Sequence, residues 1–106
     1  MTPTREDFLR SLIVGNGFES PSKLDGALLA RRTVNGRYQA VSIECIDDSP
    51  IMYVETAVHR KWWFTKYRTF LIRGTDELDN RAEIDRITED FDMNVIGYLD
   101  QWNQES

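Results

Sequence analysis

The stretch from His59 to Arg68 has the strongest chemical character in this sequence of 106 residues. Its ten residues interleave five side chains that can carry a positive charge with four aromatic rings. Such cations pair with phosphates or carboxylates, and aromatic rings stack on bases or fill the centres of protein interfaces. The stretch therefore predicts a binding surface, either for a protein or for single-stranded nucleic acid.

Residues that could carry out catalysis are few. His59 is the single histidine and Cys45 the single cysteine. No acidic residue stands near His59 in the sequence to orient it as a general base. Cys45 alternates with Val41 and Ile43, as a small buried core residue does. Enzyme activity is therefore not expected.

Sites for metals, phosphates or cofactors are not predicted either. One cysteine and one histidine cannot build a structural zinc site, and no acidic run has the spacing of a calcium loop. The Gly-Asn-Gly segment at residues 15–17 follows a predicted helix, whereas a phosphate-binding loop precedes one. Glu44 and Glu55 could share an acid–base site across two strands, but pairing of Glu55 with Lys66 on the sheet surface is the favoured interpretation.

The net charge of −5 is unevenly distributed along the chain. Residues 26–73 contain eight basic and four acidic side chains, whereas residues 74–106 contain two basic and ten acidic ones. A dense carboxylate surface attracts basic proteins and repels polyanions. The C-terminal segment therefore favours a basic protein partner over nucleic acid.

The sequence predicts a cytoplasmic protein without a membrane span. Its apolar runs are much shorter than the ~20 residues that a transmembrane helix needs. The N-terminal residues lack the cationic and apolar pattern of a secretory signal. The single cysteine cannot form an internal disulfide, which fits a reducing compartment.

The elements that must position these residues begin with a helix over roughly residues 5–14. Thr4 is a good N-cap, and Asp7 occupies the third helical position, close to a capping box. Apolar residues then recur at helical spacing from Phe8 to Ile13.

Two hairpins follow from turn signals. Asn35-Gly36 predicts a two-residue turn, because a type I′ turn needs positive φ at both positions. That turn places Val34 opposite Arg37 and keeps one face of both strands apolar. A four-residue Asp-Asp-Ser-Pro loop then sets Ile43 opposite Val54 on the same apolar face.

A third hairpin is predicted with a four-residue loop from His59 to Trp62. This loop sets Val54 opposite Tyr67 on the apolar face. On the other face it sets Glu55 opposite Lys66, an opposite-charge pair that would stabilise the sheet.

A long helix is predicted from about residue 76 to residue 103, capped by Thr75. Its apolar residues recur every three or four positions. They are Ile84, Ile87, Phe91, Val95, Leu99 and Trp102. Because Asp92, Asn94 and Gly97 are weak helix formers, we expect a kink or a break there.

Together these elements predict a single α+β domain over residues 1–106. The sheet is a four-stranded antiparallel meander in the order α-β-β-β-β-α, with both helices on one face. The predicted sheet core consists of Leu28, Ala30, Val41, Ile43, Cys45, Met52, Val54, Val58, Trp63, Tyr67 and Leu71.

The predicted binding residues fall in three groups. The outer face of the sheet carries Tyr38, Tyr53, Glu55, Phe64, Lys66, Arg68 and Phe70. The tip of the third hairpin carries Arg60, Lys61 and Trp62. The acidic helix carries Asp85, Glu89 and Asp92.

These groups favour a non-catalytic protein-binding domain, such as an acidic inhibitor, immunity or antitoxin-like protein that neutralises a basic or nucleic-acid-binding partner. Two alternatives stay open. One is a single-stranded nucleic-acid-binding domain that uses the basic aromatic face, and the other is a dimeric adaptor or chaperone.

Overall fold

The computed structural model describes residues 4–45, 51–61, 64–74 and 80–104, with the backbone alone described at positions 60, 61, 64 and 104. Within these ranges the chain forms one antiparallel sheet with strands in sequence order, and helices pack on one of its faces. The predicted α+β class and meander order are confirmed, but the sheet has five strands rather than four. The elements are α1 (Arg5–Gly15), β1 (Ser22–Leu24), β2 (Ala27–Val34), β3 (Arg37–Cys45), β4 (Ile51–Lys61), β5 (Phe64–Arg73) and a C-terminal helix that starts at Arg81.

Helix α1 begins and ends where its sequence predicts. The Thr4 hydroxyl accepts a hydrogen bond of 3.1 Å from the backbone N–H of Asp7, which satisfies one free donor of the first turn. At the other end, Asn16 is the C-cap. Leu9 and Ile13 lie one turn apart and are both buried against the sheet.

Two tight turns of the same type shape the first three strands. Asn35 and Gly36 have φ of 53° and 78°, and Asp25 and Gly26 have φ of 50° and 83°. Positive φ at both central residues is typical of a type I′ turn. The Asp25-Gly26 turn produces β1, the strand that was not predicted, although Asp-Gly is as strong a hairpin signal as Asn-Gly.

The first two predicted registers are confirmed. Val34 pairs with Arg37, and Ile43 pairs with Val54. The predicted core residues of β2, β3 and β4 are accordingly buried, except that Cys45 is half-buried at the margin of the core.

The third predicted register is wrong. Val54 pairs with Phe70 rather than Tyr67, and Glu55 pairs with Thr69 rather than Lys66. Strand β4 continues to Lys61, with an irregularity between His59 and Lys61, so that only residues 62 and 63 separate β4 from β5. The pairing therefore differs from the predicted one by three residues, and an odd shift moves every side chain of β5 to the other face.

This shift exchanges the buried and exposed residues of β5. Tyr67 and Leu71, predicted in the core, are 75% and 63% exposed. Ile72 is buried in their place, and Phe70 packs against the core. The third residue predicted in this part of the core, Trp63, lies outside the described residues.

The C-terminal helix begins at Arg81, after the N-cap Asn80, whose side chain accepts a hydrogen bond from the N–H of Ala82. The predicted cap, Thr75, and the predicted first turn lie outside the described residues. The helix consists of α2 (Arg81–Asp90), a π-helical segment (Phe91–Ile96), α3 (Gly97–Gln101) and a final 3-10 turn (Trp102–Gln104).

Where a kink or a break was predicted, the helix continues through the π-helical segment. The N–H of Gly97 donates to the carbonyl of Asp92, five residues earlier, so this turn is wider than an α-helical one. The wider turn brings Ile96 and Tyr98 into the core beside Val95 and Leu99. Among the described residues, no helix has the length and apolar content needed to cross a membrane.

Candidate protein-interaction surfaces

One side of the sheet is not covered by any described helix and is termed the open face. It carries large apolar side chains whose exposed fractions range from 38% at Tyr53 to 75% at Tyr67. They are Leu24, Tyr38, Ile51, Tyr53, Tyr67 and Leu71. The two other large apolar residues that are exposed, Val14 and Met93, belong to the helices on the other side.

Three of these side chains, Leu24, Tyr53 and Leu71, lie in one row that crosses the sheet. Leu24 pairs with Ala27, Ala27 with Glu44, Glu44 with Tyr53, and Tyr53 with Leu71, so the five residues lie side by side on the five strands. Residues directly opposite each other have Cβ atoms ~5 Å apart. Tyr53 and Leu71 are therefore direct neighbours, and Ala27 and the carboxylate of Glu44 lie between them and Leu24.

The open face is close to electrically neutral. The register places Arg31 and Arg73 on it together with Glu44 and Glu55, so the described lysines, arginines and carboxylates of its strands balance. This corrects the prediction of a basic face. Its cause is the shifted register of β5.

The predicted outer-face residues are divided between the two sides of the sheet. Tyr38, Tyr53 and Glu55 lie on the open face as expected. Lys66, Arg68 and Phe70 lie on the helix side instead. The side chains of Arg60, Lys61, Trp62 and Phe64 lie outside the described residues.

The helix side of β5 forms a cluster of cations and aromatic rings, termed the basic edge. The Lys66 Nζ lies 4.7 Å from the centroid of the Trp102 ring. The guanidinium carbon of Arg68 lies 5.0 Å from the ring centroids of both Phe70 and Tyr98. Phe70 and Tyr98 meet edge to face at 5.6 Å, and Tyr98 and Trp102 do so at 6.1 Å. The rings therefore hold both cations against the C-terminal helix.

The cations of the basic edge have no carboxylate partner within the described parts of the chain. Lys66 and Arg68 are both exposed, and neither forms an ion pair there. Arg37, on the same side of the sheet, has a buried guanidinium nitrogen with no hydrogen-bond partner among the described residues. Lys66 and Arg68 thus lack a counter-charge among the described residues.

A buried polar network was missed from the sequence. Arg32 donates through Nε to the Gln39 side-chain oxygen at 2.8 Å, through Nη1 to the Asn16 carbonyl at 2.9 Å and through Nη2 to Asp100 at 3.0 Å. Gln39, which is 2% exposed, donates to the Leu99 carbonyl at 2.9 Å. Because these donors and acceptors satisfy one another, the network is structural and joins both helices to the sheet.

The acidic helix is only partly neutralised. Asp85 pairs with Arg81 at 3.3 Å, and Asp92 accepts a hydrogen bond of 3.3 Å from the neutral side chain of Asn16. Glu89 has no hydrogen-bond or ion-pair partner in the described parts of the chain. All three predicted carboxylates are exposed.

Two other carboxylates have a lowered pKa. Two hydrogen bonds lower the pKa of Glu6, because they stabilise its charged form. The bond from Lys23 has the larger effect, and the bond from Arg10 has the smaller one. A hydrogen bond from Arg86 lowers the pKa of Glu83 in the same way. Glu6 thereby links α1 to β1.

A depression of about 720 Å³ lies between the start of α1 and the ends of β1, β2 and β3. Its lining includes Cys45, Glu44 and the ion pair between Glu6 and Lys23 at 2.7 Å. Glu55 does not line it, so the Glu44 and Glu55 pair considered above is not assembled there.

His59 lies within β4 rather than at a hairpin tip. Its Nδ1 is 3.2 Å from the hydroxyl of Thr65, the residue directly opposite on β5. In the described part of the chain, no group of three or more histidine, cysteine or acidic residues could hold a metal ion. The His59 contact is that of an ordinary cross-strand pair.

No family model, characterised protein or solved structure matches this chain. Any function must therefore be inferred from the surfaces themselves.

Proposed function

We propose that this chain is a non-catalytic protein-interaction domain that works as a dimer, with the open faces of two copies packed against each other. The observation that carries this proposal is the group of exposed tyrosine, leucine and isoleucine side chains on one side of the sheet. Monomeric proteins rarely expose a large contiguous apolar patch, and aromatic residues are enriched in interfaces.

The charge of the open face supports a second copy as its partner. Each chain has a net charge of −5, so two copies repel each other unless they meet through neutral surfaces. Among the described residues the open face is close to such a surface, because Arg31 and Arg73 lie on it with Glu44 and Glu55, and Arg31 also pairs with Glu19 at 3.3 Å. The acidic helices would then lie on the outer sides of the dimer, in water.

The size of the open face is also sufficient. Five strands spaced ~4.8 Å apart, with lengths up to about 30 Å, present roughly 600 Å² in projection. A stable interface buries ~800 Å² of accessible surface per partner, and a corrugated sheet has more accessible surface than its projection.

The nucleic-acid alternative has less support than the dimer. This alternative requires Lys66 and Arg68 to bind phosphates and Phe70 to stack on a base, with all three side chains on the outer face of the sheet. The register places all three on the helix side. A neutral open face on an acidic protein offers no attraction for a polyanion.

The dimer is tested by sedimentation velocity over a range of protein concentrations. We expect the wild-type chain to dimerise at micromolar concentration. The double variant Tyr67→Ser/Leu71→Ser should weaken the dimer by roughly tenfold to hundredfold, because it removes the two most exposed apolar side chains of the open face, and a few large side chains carry most of the binding energy of an interface. Both positions are exposed in the monomer, so the fold should be unaffected.

The matched control is Val14→Ser/Met93→Ser, which removes two exposed apolar side chains from the helices. This control should dimerise like the wild type. A wild-type chain that stays monomeric at about 100 μM, a concentration that corresponds to a very weak interface, would refute self-association through the open face. Equal weakening by both double variants would show that the dimer forms through another surface.

A second candidate function is supported by a different observation. Glu89 and Asp92 are exposed on the C-terminal helix, and neither has a cationic partner among the described residues. Two unneutralised carboxylates on an acidic helix fit a basic protein partner, as an acidic inhibitor would require. We place this activity in the cytoplasm, since the single cysteine fits a reducing compartment.

A further inference from the structure

Strand β5 is one of the two outer strands of the sheet. It spans Phe64–Arg73 and, within the described part of the chain, pairs with β4 alone. The opposite outer strand, β1, has only three residues. An edge strand presents backbone N–H and C=O groups that can pair with an added strand. A length of ten residues leaves room for such an addition on β5.

Inward-pointing charges on an edge strand usually protect it from unwanted pairing. Lys66 and Arg68 differ from freely solvated charges, because aromatic rings of the C-terminal helix hold them in place. Both cations are exposed, and neither has a carboxylate partner in the part of the chain that the structure describes. Arg32 and Arg86 differ from them, because each pairs with a carboxylate of this chain.

We propose that the basic edge is a docking site for an extended acidic segment of a partner protein, which adds to β5 as a sixth strand. Backbone hydrogen bonds to β5 would supply the pairing, and carboxylates of the segment would pair with Lys66 and Arg68. This site lies on the helix side of the sheet and is separate from the open face, so it does not depend on the dimer.

The geometry also specifies the pattern of the segment. Lys66 and Arg68 are two residues apart, so their side chains emerge on the same side of β5. Side chains of an added strand also alternate between the two faces of the sheet. The two residues of the added strand that lie beside Lys66 and Arg68 must therefore be two positions apart. The segment therefore carries Asp or Glu at positions i and i+2, with an uncharged residue between them.

The test uses two fluorescein-labelled peptides of about seven residues, the length of an ordinary strand. One alternates Glu with Thr, and the other has the same composition with its Glu residues contiguous. We expect fluorescence anisotropy to show tighter binding of the alternating peptide. The variant Lys66→Gln/Arg68→Gln should bind it roughly threefold to thirtyfold more weakly, because both exposed ion pairs with the peptide are lost.

The control variant is Arg31→Gln, which removes an exposed cation from β2 on the open face. It should bind the alternating peptide like the wild type. Hydrogen exchange should also slow at the amides of β5 when this peptide is present, since an added strand protects them.

Three results would overturn the proposal. They are unchanged binding of the alternating peptide by Lys66→Gln/Arg68→Gln, equal binding of the two peptides, and no exchange protection of β5 at saturation. Equal competition by a single-stranded oligonucleotide would show a general anion site, and that result would also overturn the assignment to an acidic strand. None of these results affects the dimer test.

Discussion

Gln39 and Arg32 occupy positions where a sheet normally carries apolar side chains. They lie opposite each other on β2 and β3, on the side that faces the helices. A buried amide or guanidinium is costly unless all its groups are paired. The carbonyls of Asn16 and Leu99 and the carboxylate of Asp100 provide these partners. The two residues therefore fix where each helix lies on the sheet.

Gln39→Leu should lower the free energy of unfolding by about 2–4 kcal/mol, because it leaves Arg32 Nε without its acceptor and removes the hydrogen bonds that Gln39 donates to the Leu99 carbonyl and to the Asn103 side chain. Urea unfolding followed by circular dichroism measures this change. Gln101→Leu makes the same chemical replacement at an exposed position of α3 and should change stability by less than ~0.5 kcal/mol. An equally stable Gln39→Leu variant would contradict a structural role for the network.

The sequence contained a signal for this network. The register set by the Asn35-Gly36 turn already places Arg32 opposite Gln39 on the inward face. Two facing polar residues there indicate a buried polar contact. Their partners could not be predicted, because Asn16 and Asp100 approach through the packing of two helices and lie far away in the sequence.

At the scale of elements, the predictability of a hairpin depended on its turn. Asn-Gly and the Asp-Asp-Ser-Pro loop have specific backbone preferences, and both registers were correct. The turn after β4 has no glycine, proline or asparagine. Strand β5 has apolar residues on both faces, Tyr67 and Leu71 on one and Phe70 and Ile72 on the other. The alternation of side chains along β5 therefore could not determine which face of this strand is buried. The face that packs against the aromatic rings of the C-terminal helix is the one that carries Phe70 and Ile72.

The attachment of α1 to β1 should depend on pH. Lys23 and Arg10 lower the pKa of Glu6 in the folded chain, so the charged carboxylate favours the folded state. This contribution is complete above the unfolded pKa of about 4.5 and disappears as the pH falls through the lower folded value. Glu6→Gln should therefore destabilise the protein near neutral pH and have little effect at about pH 3.

Urea unfolding at several pH values measures this difference. Glu89→Gln removes the same charge from a residue that has no cationic partner among those the structure describes, and it controls for the change in net charge. A destabilisation by Glu6→Gln that stays constant between neutral pH and about pH 3 would show that the contact with Lys23 and Arg10 does not act through charge.

At the scale of the whole molecule, the basic and acidic regions lie on the same side of the sheet. Lys66 and Arg68 contact the aromatic residues of the helix that also carries Glu89 and Asp92. The predicted arrangement, with the two charges on opposite faces, is therefore wrong. The helix side carries exposed charges of both regions, and the open face carries exposed apolar side chains together with Arg31, Arg73, Glu44 and Glu55.

This charged side should bind cationic chains through Glu89 and Asp92 if the second candidate function is correct. Glu89→Gln/Asp92→Asn should weaken binding of poly-L-lysine by roughly twofold to fivefold and reduce its dependence on salt, because exposed ion pairs contribute ~0.2–1 kcal/mol each. Titration calorimetry at two salt concentrations measures both effects. Asp7→Asn/Asp25→Asn removes the same net charge elsewhere and should have a smaller effect. Equal effects of the two double variants would exclude a specific acidic surface.

The arrangement of the polar network has a consequence for synthesis on the ribosome. Each strand of the sheet pairs with its neighbour in the chain, so the sheet can assemble as the polypeptide leaves the exit tunnel. The acceptors at Leu99 and Asp100 emerge only after the whole sheet, and until then only α1 and the Asn16 carbonyl are available to cover the inward side of the sheet. The nascent chain therefore exposes its future core to chaperones until the last helix is released.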